Sequence, residues 1–218
     1  VPDDYNIFNP EGAVAGAYLM EKQSYILPIR TYEEMSTDPF SSIIAGFTKL
    51  NEVGEGAALQ VVLRPPPSKA KKQLRSSIYL LKKGEPVSKV LGHQFPFGFS
   101  EVREALSAKK EEKEKSEKVV DEEALKAIEA KGKKPLFEVN VRILASAGQN
   151  READDIVNGL AAGFSQFALL HGNEFRMVKP RQTKNLVYQF IFRRFESSQA
   201  MILNSEEIAS FCHLPTAF

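Results

Sequence analysis

The chain has 218 residues, 43% of them hydrophobic, which is enough apolar material for one large core or two small ones. Lys and Arg number 29 against 28 Asp and Glu, so the net charge of +1 excludes a global attraction to nucleic acid or to anionic membranes. A single cysteine excludes an internal disulfide and a multi-cysteine zinc site, and no run approaches the roughly 20 apolar residues of a membrane span.

Residues 1–99 form the first predicted half of the chain. The predicted elements are an edge strand over residues 25–30, a helix over residues 38–50, a strand over residues 57–63 and a helix from residue 68 to residue 84. Asp38 and Pro39 are typical of a helix start. The third of these elements is apolar almost throughout, which predicts a strand in the centre of its sheet.

Residues 100–133 form a predicted helical arm between the two halves. Nine of the ten residues from Lys109 to Lys118 are charged, and alternating signs favour an exposed helix with ion pairs four residues apart. The candidate residues for contact with a protein partner are Lys109, Glu112, Lys113 and Lys118. The alternative is a solvated insertion without a partner.

Residues 134–218 form the second predicted half. Phe137, Val139, Val141 and Ile143 alternate with polar residues, which predicts a strand with one buried face. The further predictions are a helix over residues 151–167, a short strand over 174–178 and a strand with an aromatic face over 186–193. A brief apolar segment over 201–203 precedes a last helix, which begins at Asn204 with a capping box to Glu207.

The order of these elements predicts an α+β fold. We expect two ferredoxin-like β-α-β halves with a mainly antiparallel sheet, helices on one face, and the charged helical insertion between the halves.

No pattern in the chain indicates a catalytic, cofactor or metal site. The histidines, which are His93, His171 and His213, never fall within four residues of one another, so they are predicted to be turn or surface residues. Cys212 is predicted to be a small buried hydrophobic residue. The sequence contains no G-x-x-x-x-G-K-[ST] motif, so this chain by itself is not expected to hydrolyse ATP.

Basic residues recur near the second half's aromatic segment. The candidate contacts to single-stranded nucleic acid are Arg176, Lys179, Arg181, Lys184, Arg193 and Arg194. Tyr188 and Phe192 would stack on bases while the cations hold phosphates. The alternative is that the aromatic face of a strand here belongs to the core, with Arg193 on the other face.

Three segments resemble the region before the motor domain in conjugative coupling and type IV secretion ATPases. They are TDPFSSIIAGFTKLNEVGEGAALQVVLRP from Thr37, FEVNVRILASAGQNREADDIVNGLAAGFSQF from Phe137 and MILNSEEIASFCHLP from Met201. The resemblance implies a membrane-associated hexameric DNA or protein translocase as the parent protein, and Asn204, His213 and Pro215 as its hinge to the motor. Since the chain starts at Val1 and ends at Phe218 before any Walker motif, we expect a piece of a larger protein and carry over no catalytic residue.

The leading expectation is a non-catalytic accessory domain of such an ATPase, without a cofactor. It would contact sister subunits or partner proteins of a secretion complex, on the cytoplasmic side and at the face of the inner membrane through the parent protein. The alternative is a nucleic-acid-binding α+β module that acts on single-stranded DNA. A small-molecule enzyme has no constellation of residues to support it.

Overall fold

A computed structural model of the chain describes residues 6–50, 54–92 and 113–213. The strands in these ranges are β1 (Ala13–Glu21), β2 (Gly56–Arg64), β3 (Leu136–Ala147), β4 (Phe175–Val178) and β5 (Met201–Asn204). The helices are α1 (Pro39–Phe47), α2 (Ser68–Lys82), α3 (Val87–Gly92), α4 (Lys113–Lys133), α5 (Asn150–Ala162), α6 (Thr183–Ile191) and α7 (Ser205–Ala209). Short 3₁₀ helices cover Tyr32–Glu34, Gly163–Phe167 and Ser197–Gln199.

The strands form one sheet in the order β2-β3-β1-β4, and every neighbouring pair is antiparallel. Because β1 and β2 are both antiparallel to β3, they are parallel to each other, and β1-α1-β2 is a β-α-β unit split by β3. In the same way β3-α5-β4 is split by β1. The two β-α-β halves therefore interlock in one ferredoxin-like sheet, which confirms the predicted α+β fold.

Strand β5 extends this sheet. It pairs with the first residues of β3, from Leu136 opposite Asn204 to Val139 opposite Met201. Since β2 covers the other edge of β3, β5 continues the line of β1 along the same edge. The chain after α6 is thereby attached to the longest strand.

The main core lies between the sheet and helices α1 and α5. Apolar side chains of β3, such as Val141 and Ile143, are fully buried there against Val157 of α5. Four phenylalanines, Phe164, Phe167, Phe175 and Phe211, close one end of this core, with all ring centroids 5.6 to 6.0 Å apart. Four of these six pairs are edge-to-face, an arrangement that adds about 0.5 to 1.5 kcal/mol per pair beyond burial.

The insertion between β2 and β3 builds a second, smaller core. Leu74 of α2 and Ile128 of α4 pack there with Ile26, Leu27 and Leu136. On the surface, Lys82 and Glu129 join the same two helices through an ion pair of 2.6 Å. The helical insertion is confirmed for the part of α4 that the structure describes, while Lys109 and Glu112 lie outside the described residues.

The face of the sheet opposite α5 is also covered, and this corrects two predictions. Residues 186–193 were expected to be a strand but belong mostly to helix α6, whose Leu186 is completely buried against this face. Most residues of the segment are apolar, so the alternation expected of a strand could not be separated from helical spacing. Strand β3 was expected to bury one face only, yet Asn140 and Arg142 are 0% exposed because α6 and the chain after it cover them.

Two further strand predictions were wrong in detail. Residues 25–30 form no strand; they are an irregular segment whose Ile26 packs in the smaller core and whose Ile29 packs in the main core. Strand β2 lies at the edge of the described sheet, although its apolar composition predicted a central position. Apolar residues indicate that both faces of a strand are covered. They do not indicate whether both of its hydrogen-bonding edges are paired with other strands.

Candidate functional site

Arg142 organises the face of the sheet that carries α6. Its guanidinium donates to Gln60 Oε1 at 2.8 Å, to the Gln189 carbonyl at 3.1 Å and to Asn140 Oδ1 at 3.1 Å, and it also bonds the Arg194 carbonyl. Two of these acceptors lie at the C-terminal end of α6, where carbonyl groups lack partners within the helix. The Gln189 carbonyl also accepts from the Arg194 amide at 2.9 Å, so the buried cation adds a second donor there and opposes the negative end of the α6 dipole.

The hydrogen bonds around Arg142 continue to the loop after α6. Asn140 donates to the carbonyls of Glu196 at 3.0 Å and Gln199 at 2.8 Å, and the Glu196 amide donates back to Asn140 Oδ1 at 2.6 Å. Gln189 accepts from the Tyr18 hydroxyl and donates to Glu196 Oε2 at 2.8 Å. Burial lowers the pKa of Arg142 from its ordinary value, while nearby Tyr18 and Glu196 act in the opposite direction.

The outer side of α6 carries large apolar side chains in solvent. Tyr188 is 46% exposed, Ile191 56% and Phe192 63%. The rings of Tyr188 and Phe192 contact each other with centroids 4.6 Å apart, as expected for residues four apart on one helical face. We call Tyr188, Ile191, Phe192, Arg193 and Arg194 the α6 patch.

Two of the predicted nucleic-acid contacts, Arg193 and Arg194, join these aromatic residues. The Arg194 guanidinium lies 5.5 Å from the centroid of Tyr188, and its Nη1 donates to the Tyr188 hydroxyl at 3.4 Å. Arg193 is exposed and has a φ of 50°, the left-handed conformation with which the chain turns away from the helix. The expectation that Arg193 lies opposite an aromatic strand face was wrong because the segment is a helix.

The structure does not bring the other predicted cations to the same place. Lys184 lies in the first turn of α6, at the opposite end from Arg194. Lys179 pairs with Asp154 of α5 at 2.7 Å. Arg176, on β4, and Arg181, in the turn before α6, are exposed.

Of the predicted partner contacts on the arm, Lys113 and Lys118 lie in the first half of α4. The arm was the leading candidate for a contact surface, and no pattern in the sequence favoured α6 over it. The exposed pair Tyr188 and Phe192 could have been found from their spacing of four residues if a helix had been assumed.

The predicted hinge residues lie in the closing segment of the described chain. Asn204 is the N-cap of α7: its Oδ1 accepts from the Glu207 amide at 2.8 Å, and the Asn204 amide donates to Glu207 Oε2 at 2.7 Å, which is the predicted capping box. His213 borders a cavity of about 460 Å³ together with Tyr32 and Asp38. Pro215 lies outside the described residues.

Both ring nitrogens of His213 face acceptors. Nδ1 lies 2.6 Å from the Ala209 carbonyl and Nε2 lies 3.0 Å from Asp38 Oδ1. The same Asp38 oxygen accepts from the Phe40 amide at 2.9 Å and so caps α1. His213 thus joins the end of the described chain to the start of α1 and leaves no ring nitrogen directed at a ligand.

Cys212 was expected to be buried, but the structure places it at the surface. Partial burial of the thiol raises its pKa above the ordinary value. A raised pKa disfavours the reactive thiolate, so Cys212 does not have the surroundings of a nucleophile.

Three buried charged residues, Glu21, Lys131 and Glu207, meet where β1, α4 and α7 come together, and sequence reasoning missed this cluster. Lys131 Nζ lies 3.1 Å from Glu207 Oε1 and 3.5 Å from Glu21 Oε1, although neither contact has the alignment of a hydrogen bond. Burial raises the pKa of Glu21 to about 7, Glu207 raises it further, and Lys131 opposes the rise. No local pattern connects residues so distant in sequence.

In the part of the chain that the structure describes, no group of three or more His, Cys, Asp or Glu residues could hold a metal ion. None of the helices in these described ranges has both the length and the apolar character needed to cross a membrane.

No curated protein and no solved structure matches the chain significantly. A family model described as "Domain of unknown function (DUF8128)" matches residues 3–217, which is nearly the whole chain. The chain therefore belongs to the DUF8128 family.

Proposed function

We propose that this chain is a non-catalytic assembly domain that holds neighbouring subunits or partner proteins in a translocating ATPase of the type IV secretion kind. The observation that carries the proposal is the α6 patch, in which Tyr188, Ile191 and Phe192 stay 46 to 63% exposed. Exposed aromatic residues beside arginine are the composition that is enriched at the centre of protein interfaces.

The contacts that hold α6 on the sheet favour the interpretation of the α6 patch as an interaction surface. Leu186 and the Arg142 hydrogen bonds hold the inner side of α6 on the sheet. A contact helix that is already held in place loses little conformational freedom when a partner binds. The resemblance of the three segments to pre-motor regions supplies the class of parent protein, and with it a position at the cytoplasmic face of the inner membrane.

Site-specific photo-crosslinking in cells tests the assembly proposal. A photoreactive residue at Phe192 of the full-length protein is expected to form covalent products with a sister subunit or with a protein of the secretion channel. The matched control is Tyr79, which is 56% exposed and lies on a different helix, α2. The proposal fails if position 192 yields no protein product, or only the products that position 79 yields.

A second candidate function is binding of single-stranded DNA by the same α6 patch. The specific observation in its favour is the contact of Tyr188 with both Phe192 and Arg194, because aromatic rings stack on bases and guanidinium groups hold phosphates. Fluorescence anisotropy with a labelled single-stranded oligonucleotide separates this function from protein assembly.

For DNA binding, the double variant R193A/R194A is expected to weaken affinity at least about tenfold at low salt, because phosphate contacts dominate such binding. The control K71A/K72A removes the same charge from exposed positions on α2 and should leave affinity nearly unchanged. Absence of binding by the unaltered chain at low salt would remove this candidate.

A further inference from the structure

The buried cluster of Glu21, Lys131 and Glu207 contains two carboxyl groups and one ammonium group. The side chain of Glu21 is 6% exposed, and those of Lys131 and Glu207 are 0% exposed. If both carboxyl groups are ionised, the cluster carries one uncompensated negative charge away from water. Such a charge is costly, and a buried site reduces the cost by binding a proton.

The hydrogen bonds show which carboxyl group has room for that proton. Glu207 Oε1 accepts from the Ile29 amide at 3.0 Å, and Glu207 Oε2 accepts from the Asn204 amide at 2.7 Å. Glu21 Oε2 accepts from the Ile202 amide at 3.2 Å, but Glu21 Oε1 is buried without a hydrogen-bond partner. A proton on Glu21 Oε1 therefore replaces no existing hydrogen bond.

The other titratable groups near Glu21 do not supply the missing positive charge. Tyr25, in the segment after β1, lies close enough to Glu21 for its own pKa to rise to about 12, mainly through burial. Glu138 of β3 lines the same cavity of about 360 Å³ as Glu21 and Tyr25, and it is already paired with Arg64. Lys131 thus serves both carboxyl groups of the cluster.

We propose that Glu21 holds a proton while α4 is docked, and that loss of this proton near neutral pH loosens the end of α4 from the sheet. Lys131 is the α4 residue that reaches into the cluster, and the Lys131 carbonyl accepts from Asn204 Nδ2 at 3.5 Å, at the limit for a hydrogen bond. Beside the cluster, Lys134 and Glu206 form a surface pair at 2.9 Å that does not depend on Glu21. This proton-dependent docking of α4 acts at the base of the charged arm, and it is independent of what the α6 patch binds.

Hydrogen exchange of the full 218-residue chain tests whether the docking of α4 depends on the proton of Glu21. Since Glu21 returns to its ordinary acidity when α4 opens, protection of amides in the last turns of α4 should fall about tenfold between pH 6 and pH 8, after correction for intrinsic exchange. Unchanged protection over this range would overturn the proposal.

Two further measurements assign the effect to Glu21. The ¹³C signal of the Glu21 carboxyl carbon should titrate near neutral pH in the unaltered chain, and titration in the ordinary acidic range would refute the idea. The variant E21Q should remove most of the pH dependence, whereas E174Q, at an exposed ion pair with Lys22 of 2.5 Å, should keep it. An E21Q variant with the original pH dependence would also contradict the proposal.

Discussion

Arg142 lies at a position that the alternation of β3 assigns to solvent, yet its side chain is fully buried. Its cost of desolvation is offset by fixed oxygens: a carbonyl at the end of α6 and the side-chain amides of Gln60 on β2 and Asn140 on β3 itself. A charged residue in a sequence pattern normally indicates a water-exposed face. Here the charged residue, Arg142, lies where helix α6 is held on the sheet by hydrogen bonds.

The variant R142M tests the role of this residue. It keeps the bulk of the side chain but removes the hydrogen bonds from the guanidinium to the Gln60 side chain, the Asn140 side chain and the Arg194 carbonyl, so the free energy of unfolding should fall by about 3 kcal/mol. Urea unfolding followed by circular dichroism measures the change. The control R181M, at an exposed arginine before α6, should stay within about 0.5 kcal/mol, and an equally small change for R142M would contradict the assigned role.

At the scale of elements, α6 covers what would otherwise be an open face of the sheet and presents the α6 patch on its outer side. Leu186 is 0% exposed, while Ile191 is 56% exposed. The two residues carry similar apolar side chains on one short helix, so they form a matched pair of inner and outer positions.

Alanine substitution of this pair gives a second prediction. L186A should lower the free energy of unfolding by about 2 to 4 kcal/mol because it leaves a cavity between α6 and β1. I191A should change the stability by less than about 0.5 kcal/mol, since it removes a side chain that is already in water. Thermal and urea unfolding of both variants measure the difference, and similar losses for the two would show that α6 does not pack as described.

At the scale of the whole molecule, buried and paired carboxyl groups set how stability depends on pH. Glu21 has a pKa raised from 4.5 to about 7, so the folded chain binds this proton more tightly than the unfolded chain. The resulting stabilisation is present below pH 4.5 and is lost as the pH rises through about 7. Hydrogen bonds from Lys82 and Ser198 lower the pKa of Glu129 and Glu196, and that stabilisation is lost only in acid.

These opposing effects predict a maximum of stability in mildly acidic solution. The free energy of unfolding should fall by about 2 kcal/mol between pH 5 and pH 8 through Glu21. Urea unfolding across this range measures it. A chain that becomes more stable toward pH 8 would show that Glu21 is ionised throughout.

Local patterns predicted much of the fold. The helix start at Asp38 and Pro39 and the capping box of Asn204 depend on bonds within a few residues. The strand through Val141 forms its hydrogen bonds with the distant strands β1 and β2, but the alternation of its side chains is visible along the chain itself. Because such signals are local, the sequence could also indicate the two β-α-β halves and the inserted helix.

What only the tertiary structure decided depends on burial by distant segments. Sequence by itself could not reveal that α6 covers the second face of β3, or that Tyr188 and Phe192 remain outside while Leu186 is inside. Nor could it predict that Glu21, Lys131 and Glu207 are in contact, since these residues belong to three different elements. Periodicity records that a side chain is apolar or charged, whereas its surroundings, and hence its chemistry, are set by which elements pack against it.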